Sequence, residues 1–144
     1  MKKISQFLVF IALLVFTAFV GCKKDESEEM IDILTSKNWK LGLKDLNATN
    51  PAGNNVLFAV PECEQDDTFT FRADGKMVRA YGAKKCDGNT ATNKTVDYIF
   101  NKETKELTID GVKYTVVEEN KTQFKYYQVV PNATGSNNTI YLLH

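Results

Sequence analysis

"ELTIDGVKYTVV", Glu106 to Val117, decides the fold. Leu107 and Ile109 alternate with polar neighbours before Asp110-Gly111, and Val112, Tyr114 and Val116 alternate after it. Period two puts each set on one face of a strand. Asp-Gly suits a two-residue hairpin turn, whose central residues both need positive φ. The stretch therefore predicts two antiparallel strands, each with one apolar face.

The same pattern repeats in both directions. Upstream, "DTFTFRADGKMVRAYG" (Asp67–Gly82) sets Phe69 and Phe71 against Thr68, Thr70 and Arg72, with a turn at "ADG". "TVDYIF" offers Val96, Tyr98 and Phe100, and "NWKLGLKDL" offers Trp39, Leu41 and Leu43. Downstream, "TQFKYYQVV" offers Phe124 and Tyr126, and "NTIYLL" offers Ile140 and Leu142. Short turn signals separate these runs, so the later connections leave no room for helical crossovers and the strands must meander antiparallel. The expectation is an all-β fold, a small antiparallel up-and-down meander barrel of about eight strands, because closure removes exposed edges. A short helix is expected before it in "SEEMIDILTSKNW", with Ser27 as cap, Glu28 and Glu29 at its positive end, and Ile31 and Leu34 on one face. Asn47 to Gln65 interrupts the meander as a long Asn/Pro/Gly-rich connection that carries the strand-like "VLFAV".

The start of the chain has a different character. Lys2 and Lys3 precede the apolar run "FLVFIALLVFTAFV" (Phe7–Val20). As a helix it spans about 21 Å, short of the ~30 Å hydrocarbon core, which favours an export signal over a membrane span. Cys22 follows Gly21 directly, and "KKDESEE" then reads as a solvated tether. Phe19-Val20-Gly21-Cys22 resembles the lipobox of bacterial lipoproteins, with Phe19 where Leu is usual. That resemblance implies cleavage after Gly21, lipidation of Cys22, and a membrane partner reached through the acyl chains. Lys23 stands where Asp would retain such a protein in the inner membrane, so the resemblance points to the outer membrane, on its periplasmic or cell-surface face. The chain divides into a signal peptide at 1–21, a lipidated Cys and tether with the start of the helix at 22–33, and a β domain at 34–144.

Removal of the first 21 residues leaves 123, enough for one domain with its own core. Lys2 and Lys3 go with the signal, so 16 basic residues face 18 acidic ones. The lysines are scattered among carboxylates, which excludes the basic face that nucleic acid needs. Lipidation of Cys22 leaves Cys63 and Cys86 as an even pair, expected to form a disulfide in an oxidising compartment. A two-residue turn at Asp74-Gly75 puts Cys63 opposite Cys86, and a three-residue turn with Gly75 left-handed puts it opposite Lys85. Either register brings the two close. Zinc is the rival, but two cysteines without a nearby histidine make a poor site.

Catalytic patterns are sparse. His144, at the very end of the chain, is the sole histidine, read as too frayed to serve a nucleophile. Glu62, Glu64, Asp66 and Asp67 surround Cys63; calcium or glycoside-hydrolysis roles are possible for such a run, but a solvated rim is the simpler reading. The reading is non-enzymatic, with no cofactor and no metal. Five Asn-x-Thr triplets, beginning at Asn47, Asn93, Asn120, Asn132 and Asn137, read as turn composition.

The order "LTSKNWKL", a cysteine, "DDTFTFRADGKMV", a second cysteine, then "TKELTIDG" is similar to the lipocalin-like domain of small bacterial lipoproteins, over about Leu34 to His144. Lys37-Asn38-Trp39 keeps the family's first-strand Trp and lacks its Gly, and Tyr98 stands where a Trp is frequent. The resemblance implies a lipocalin-like barrel binding a small hydrophobic or amphipathic ligand. Trp39, Phe71, Tyr98, Phe100, Tyr114, Phe124 and Tyr126 are then the cavity candidates. The alternative is a filled barrel, since an eight-stranded interior is about wide enough for its own side chains. That version recruits a protein or glycan partner through its loops.

Overall fold

The structure is a computed structural model that describes residues 33–144. The signal-like run, Cys22, the tether, Ser27, Glu28, Glu29 and Ile31 lie outside the described residues. Eight strands form one sheet: β1 (Asn54–Leu57), β2 (Thr68–Phe71), β3 (Lys76–Ala80), β4 (Asn93–Asn101), β5 (Glu106–Ile109), β6 (Val112–Glu119), β7 (Phe124–Asn132) and β8 (Gly135–Leu143). Their spatial order is β1-β8-β7-β6-β5-β4-β3-β2. From β2 to β8 this is the expected meander, every neighbour antiparallel.

The hairpins follow local chemistry. Ile109 pairs with Val112 across Asp110 (φ 51°) and Gly111 (φ 79°), the two-residue turn read from the sequence. Phe71 pairs with Met77, which selects the three-residue turn at Ala73-Asp74-Gly75, and Gly75 takes φ 77°. Two Asn-x-Thr triplets build turns. Asn120 Oδ1 accepts from Thr122 N and Gln123 N, and Asn132 Oδ1 from Thr134 N.

The eight strands alone do not close into a ring; β1 and β2 are the edges. The segment expected as the first strand, "NWKLGLKDL", instead makes isolated bridges, Trp39 to Phe69 and Leu41 to Leu143. Trp39 and Phe69 exchange backbone bonds of 2.8 Å, and Lys40 and His144 exchange bonds of 3.0 and 2.9 Å. One short segment thus reaches from β2 to β8 across the gap. Its course then bends, so Leu43, expected inward, is 59% exposed.

β1 overlaps the strand anticipated in "VLFAV" only at Val56 and Leu57, starting two residues earlier, and it pairs parallel with β8, Asn54 to Asn137 through Leu57 to Ile140. A long return from Gly42 lets a parallel partner be added where a tight hairpin could not. This return corrects the reading of "NTIYLL". Partners in an antiparallel pair share a face, and Tyr126 pairs with Tyr141, Phe124 with Leu143. Tyr141 and Leu143 therefore point inward with the core. Ile140 and Leu142, expected inward, lie on the opposite face and are nonetheless buried. Covering by the Gly42–Phe58 return explains why both faces of β8 are apolar.

Candidate functional site

The interior is one contiguous cluster. Trp39, Phe71, Tyr98, Phe124 and Tyr126 are buried in it, and Phe100 and Tyr114 pack against it half-buried. All seven cavity candidates are thus brought together. What they face is largely each other. Phe124 meets Trp39 at 6.4 Å and Phe100 at 6.0 Å, ring centre to ring centre, both edge-to-face. Phe71 and Tyr98 meet edge-to-face at 5.0 Å. Trp39 Nε1 donates to Leu34 O at 2.8 Å, which ties the helical turn at residues 33–35 to the same end. Leu34, the described member of the expected helix face, is buried there.

Three tyrosines continue the cluster along the sheet. Tyr126 and Tyr141 stack at 5.4 Å, and Tyr114 meets both edge-on at 5.2 and 5.6 Å. Phe58, from the return segment, stacks on Tyr141 at 4.8 Å. Burial pushes the Tyr126 phenol far up, reinforced by Tyr114 and Tyr141, so it stays a neutral hydroxyl at physiological pH. Burial raises Tyr114 and Tyr141 as well.

Two ionic clusters are built on buried or half-buried cations, Lys125 and Arg79, that the sequence reading did not single out. On the covered face of β7, Lys125 is fully buried. Its ammonium pairs with Asp45 at 2.8 Å and Glu118 at 3.4 Å, and donates to Asn47 O at 2.9 Å and to Thr49 O. Buried Gln123 bonds Asp45, Glu118, Leu46 N and His144 Nε2. Burial alone would raise the Asp45 and Glu118 carboxyls. Hydrogen bonds and the Lys125 charge outweigh it and hold both below their ordinary values. His144 is therefore not a frayed end: it is half-buried, bonded to Gln123 and seated on Gly42, where an added Cβ would come within 2.6 Å of its ring. Burial, with Lys37 nearby, depresses its pKa.

The acidic run near Cys63 also departs from a solvated rim. Asp67 is fully buried, receives Arg79 Nε at 2.7 Å and Nη2 at 2.6 Å, and accepts Gly82 N–H at 2.8 Å. Glu64 shares the same guanidinium at 3.1 Å. Asp66 accepts from Lys84 N, while its Oδ1 is buried without a partner. Gly82 is required here because a Cβ would lie 2.1 Å from the Asp66 side chain. The acids thus anchor the β3–β4 connection, together with the Cys63–Cys86 disulfide, whose Cα atoms are 5.0 Å apart. Cys63 sits in the short 3-10 turn Glu62–Glu64 rather than in a ladder. Among the described residues, no three His, Cys, Asp or Glu side chains are placed to hold a metal ion.

Alternation gave no sign of Lys125 or Arg79, because an outward lysine or arginine in a strand reads as solvated. A groove of about 480 Å³ opens between β6 and β7 and is lined by Tyr127, Lys113 and Gln128 among others. Compared with known proteins, the chain matches no family model, no curated protein and no solved structure.

Proposed function

We propose that this protein is a lipid-anchored, non-enzymatic recognition module whose interior is filled and whose binding surface lies outside the rolled sheet. The observation that carries this reading is the meeting of Phe124 with both Trp39 and Phe100. Ring edges and faces that satisfy one another are not free to hold an acyl chain. In the sequence, "FVGC" at 19–22 supports the anchor and a membrane partner through Cys22, and Lys23 after it supports an outer-membrane address.

A second reading keeps the small amphipathic ligand at the other end of the cluster, where Tyr114, Tyr126 and Tyr141 converge beside Phe58. Native mass spectrometry separates the two. The purified protein, titrated with palmitate, is expected to keep its own mass. A stoichiometric palmitate adduct lost in Tyr126→Ala overturns the filled interior. For the anchor, the full chain expressed in a Gram-negative host is expected to take up labelled palmitate, and Cys22→Ala to take up none. Label on the Cys22→Ala chain removes the lipobox reading.

A further inference from the structure

We infer that the fork between β6 and β7 is a binding site for an uncharged oligosaccharide. The inference rests on the filled-interior reading, which moves recognition to the outside. The β6–β7 ladder stops at Thr115↔Tyr127. Beyond it, Val112 to Tyr114 of β6 stay paired with β5, and Gln128 to Asn132 of β7 stay paired with β8. The two strands part, and the groove of about 480 Å³ occupies the fork. That volume lies within the ordinary range of ligand sites, about 300–1,000 Å³.

The lining selects the chemistry. Tyr127 is half-buried at the head of the fork and joins none of the ring pairs that hold the core. Val129 continues the apolar strip and is 54% exposed. Around them stand Thr115, Gln128, Glu106 and Lys113. Glu106 and Lys113 pair with each other at 3.0 Å, so the groove offers donors and acceptors but carries no net charge. Anionic ligands such as phosphates, nucleic acid or acidic headgroups find no uncompensated cation. A fatty acyl chain finds too many polar groups to desolvate. A pyranose, with C–H faces for the tyrosine ring and neutral hydroxyls for the rim, matches both halves of the lining.

An extended peptide is the competing occupant, because a parted ladder leaves strand edges. Those edges are guarded: Lys113 is exposed on β6, and Pro131 on β7 has no N–H to donate. Charged and proline residues are the usual means of blocking strand addition. The groove therefore favours the saccharide.

The test is NMR on the full, isotope-labelled chain in detergent micelles, titrated separately with cellohexaose, maltohexaose and chitohexaose N-acetylated on every ring. At least one is expected to shift the amides of Lys113, Thr115, Tyr127, Gln128 and Val129 saturably. Tyr127→Ala is expected to weaken that binding at least tenfold, and Tyr127→Phe to retain most of it. If Tyr127→Ala does not fold, Glu106→Gln serves as the second variant, with an expected several-fold loss. No saturable shift by any of the three sugars, or an affinity indifferent to both variants, overturns the proposal. So does saturable binding there of an uncharged strand-forming peptide instead of a sugar. Failure of the filled interior reads out elsewhere, as palmitate-dependent shifts at Trp39 and Phe124.

Discussion

Phe100 of β4 and Phe124 of β7 meet edge-to-face, ring centres 6.0 Å apart and planes at 79°. β5 and β6 lie between their strands in the sheet, so the contact crosses the interior rather than running along it. Phe124 also touches Trp39 and Tyr126, which makes it the hub of the ring cluster. Phe124→Ala removes the ring and leaves a cavity that its neighbours cannot fully collapse. The expected cost is about 3–5 kcal/mol, read by urea unfolding followed through Trp39 fluorescence. A loss under about 1 kcal/mol would mean that the interior is loose enough to relax, against the filled reading.

Lys125 makes stability depend on pH in a defined window. Asp45 and Glu118 sit folded below their ordinary values of 3.8 and 4.5. A carboxyl depressed on folding contributes stability that is complete above its unfolded value and disappears as pH falls through the folded one. The loss is therefore expected below about pH 4.5. Lys125→Met leaves both carboxylates without their cation, at an expected cost of about 3–5 kcal/mol at pH 7. The same variant should flatten the fall in stability between about pH 5 and 3. Equal slopes in the two proteins would show that the depression has another source.

The meander was legible because each hairpin carries its own chemistry. Asp110-Gly111 fixed one turn, Asp74-Gly75 located another and left its length to the Phe71–Met77 pair, and alternation placed Phe69, Phe71, Tyr98, Phe124 and Tyr126 inward, all now buried. Alternation failed where a second layer covers the sheet. Ile140 and Leu142 looked like an inner face, yet the inward-facing partners of Tyr126 and Phe124 are Tyr141 and Leu143. A strand apolar on both faces gives two equal readings, and only the Gly42–Phe58 return decides between them. Lys125 failed for the related reason that its burial depends on acceptors at Asp45, Asn47 and Thr49, far away in sequence. The groove at the β6–β7 fork was not legible at all, since it arises where the ladder stops at Thr115 and Tyr127.

Half-buried Arg79 and fully buried Asp67 form the second ion pair. Asp67 has no exposure and Arg79 caps it with two nitrogens while lying 5.0 Å over the Tyr81 ring. Arg79→Met leaves the Asp67 carboxylate with the Gly82 N–H donor at 2.8 Å and should cost about 3–5 kcal/mol. Arg79→Lys should recover only part, since an ammonium cannot reproduce the planar fork. The double variant Arg79→Met, Asp67→Leu removes both charges and is expected to be more stable than Arg79→Met alone. Chemical denaturation of the wild type, Arg79→Met, Asp67→Leu and the double variant gives the coupling energy, and additivity would refute the pairing.

The disulfide closes a loop over 23 positions that contains the whole β2–β3 hairpin. In the chain-entropy account, a loop of this size stabilises by about 3 kcal/mol, chiefly by restricting the unfolded chain. The folded loop has other restraints: Asp67 holds Gly82 N–H and Asp66 holds Lys84 N–H. Cys63→Ala with Cys86→Ala is therefore expected to stay folded while losing about 3 kcal/mol, a fall in Tm on the order of 10 °C. Circular dichroism with a thermal scan checks both halves. A native spectrum with unchanged Tm would show that the bridge restrains nothing, and a lost spectrum that the Asp66 and Asp67 bonds cannot hold the β3–β4 connection without it.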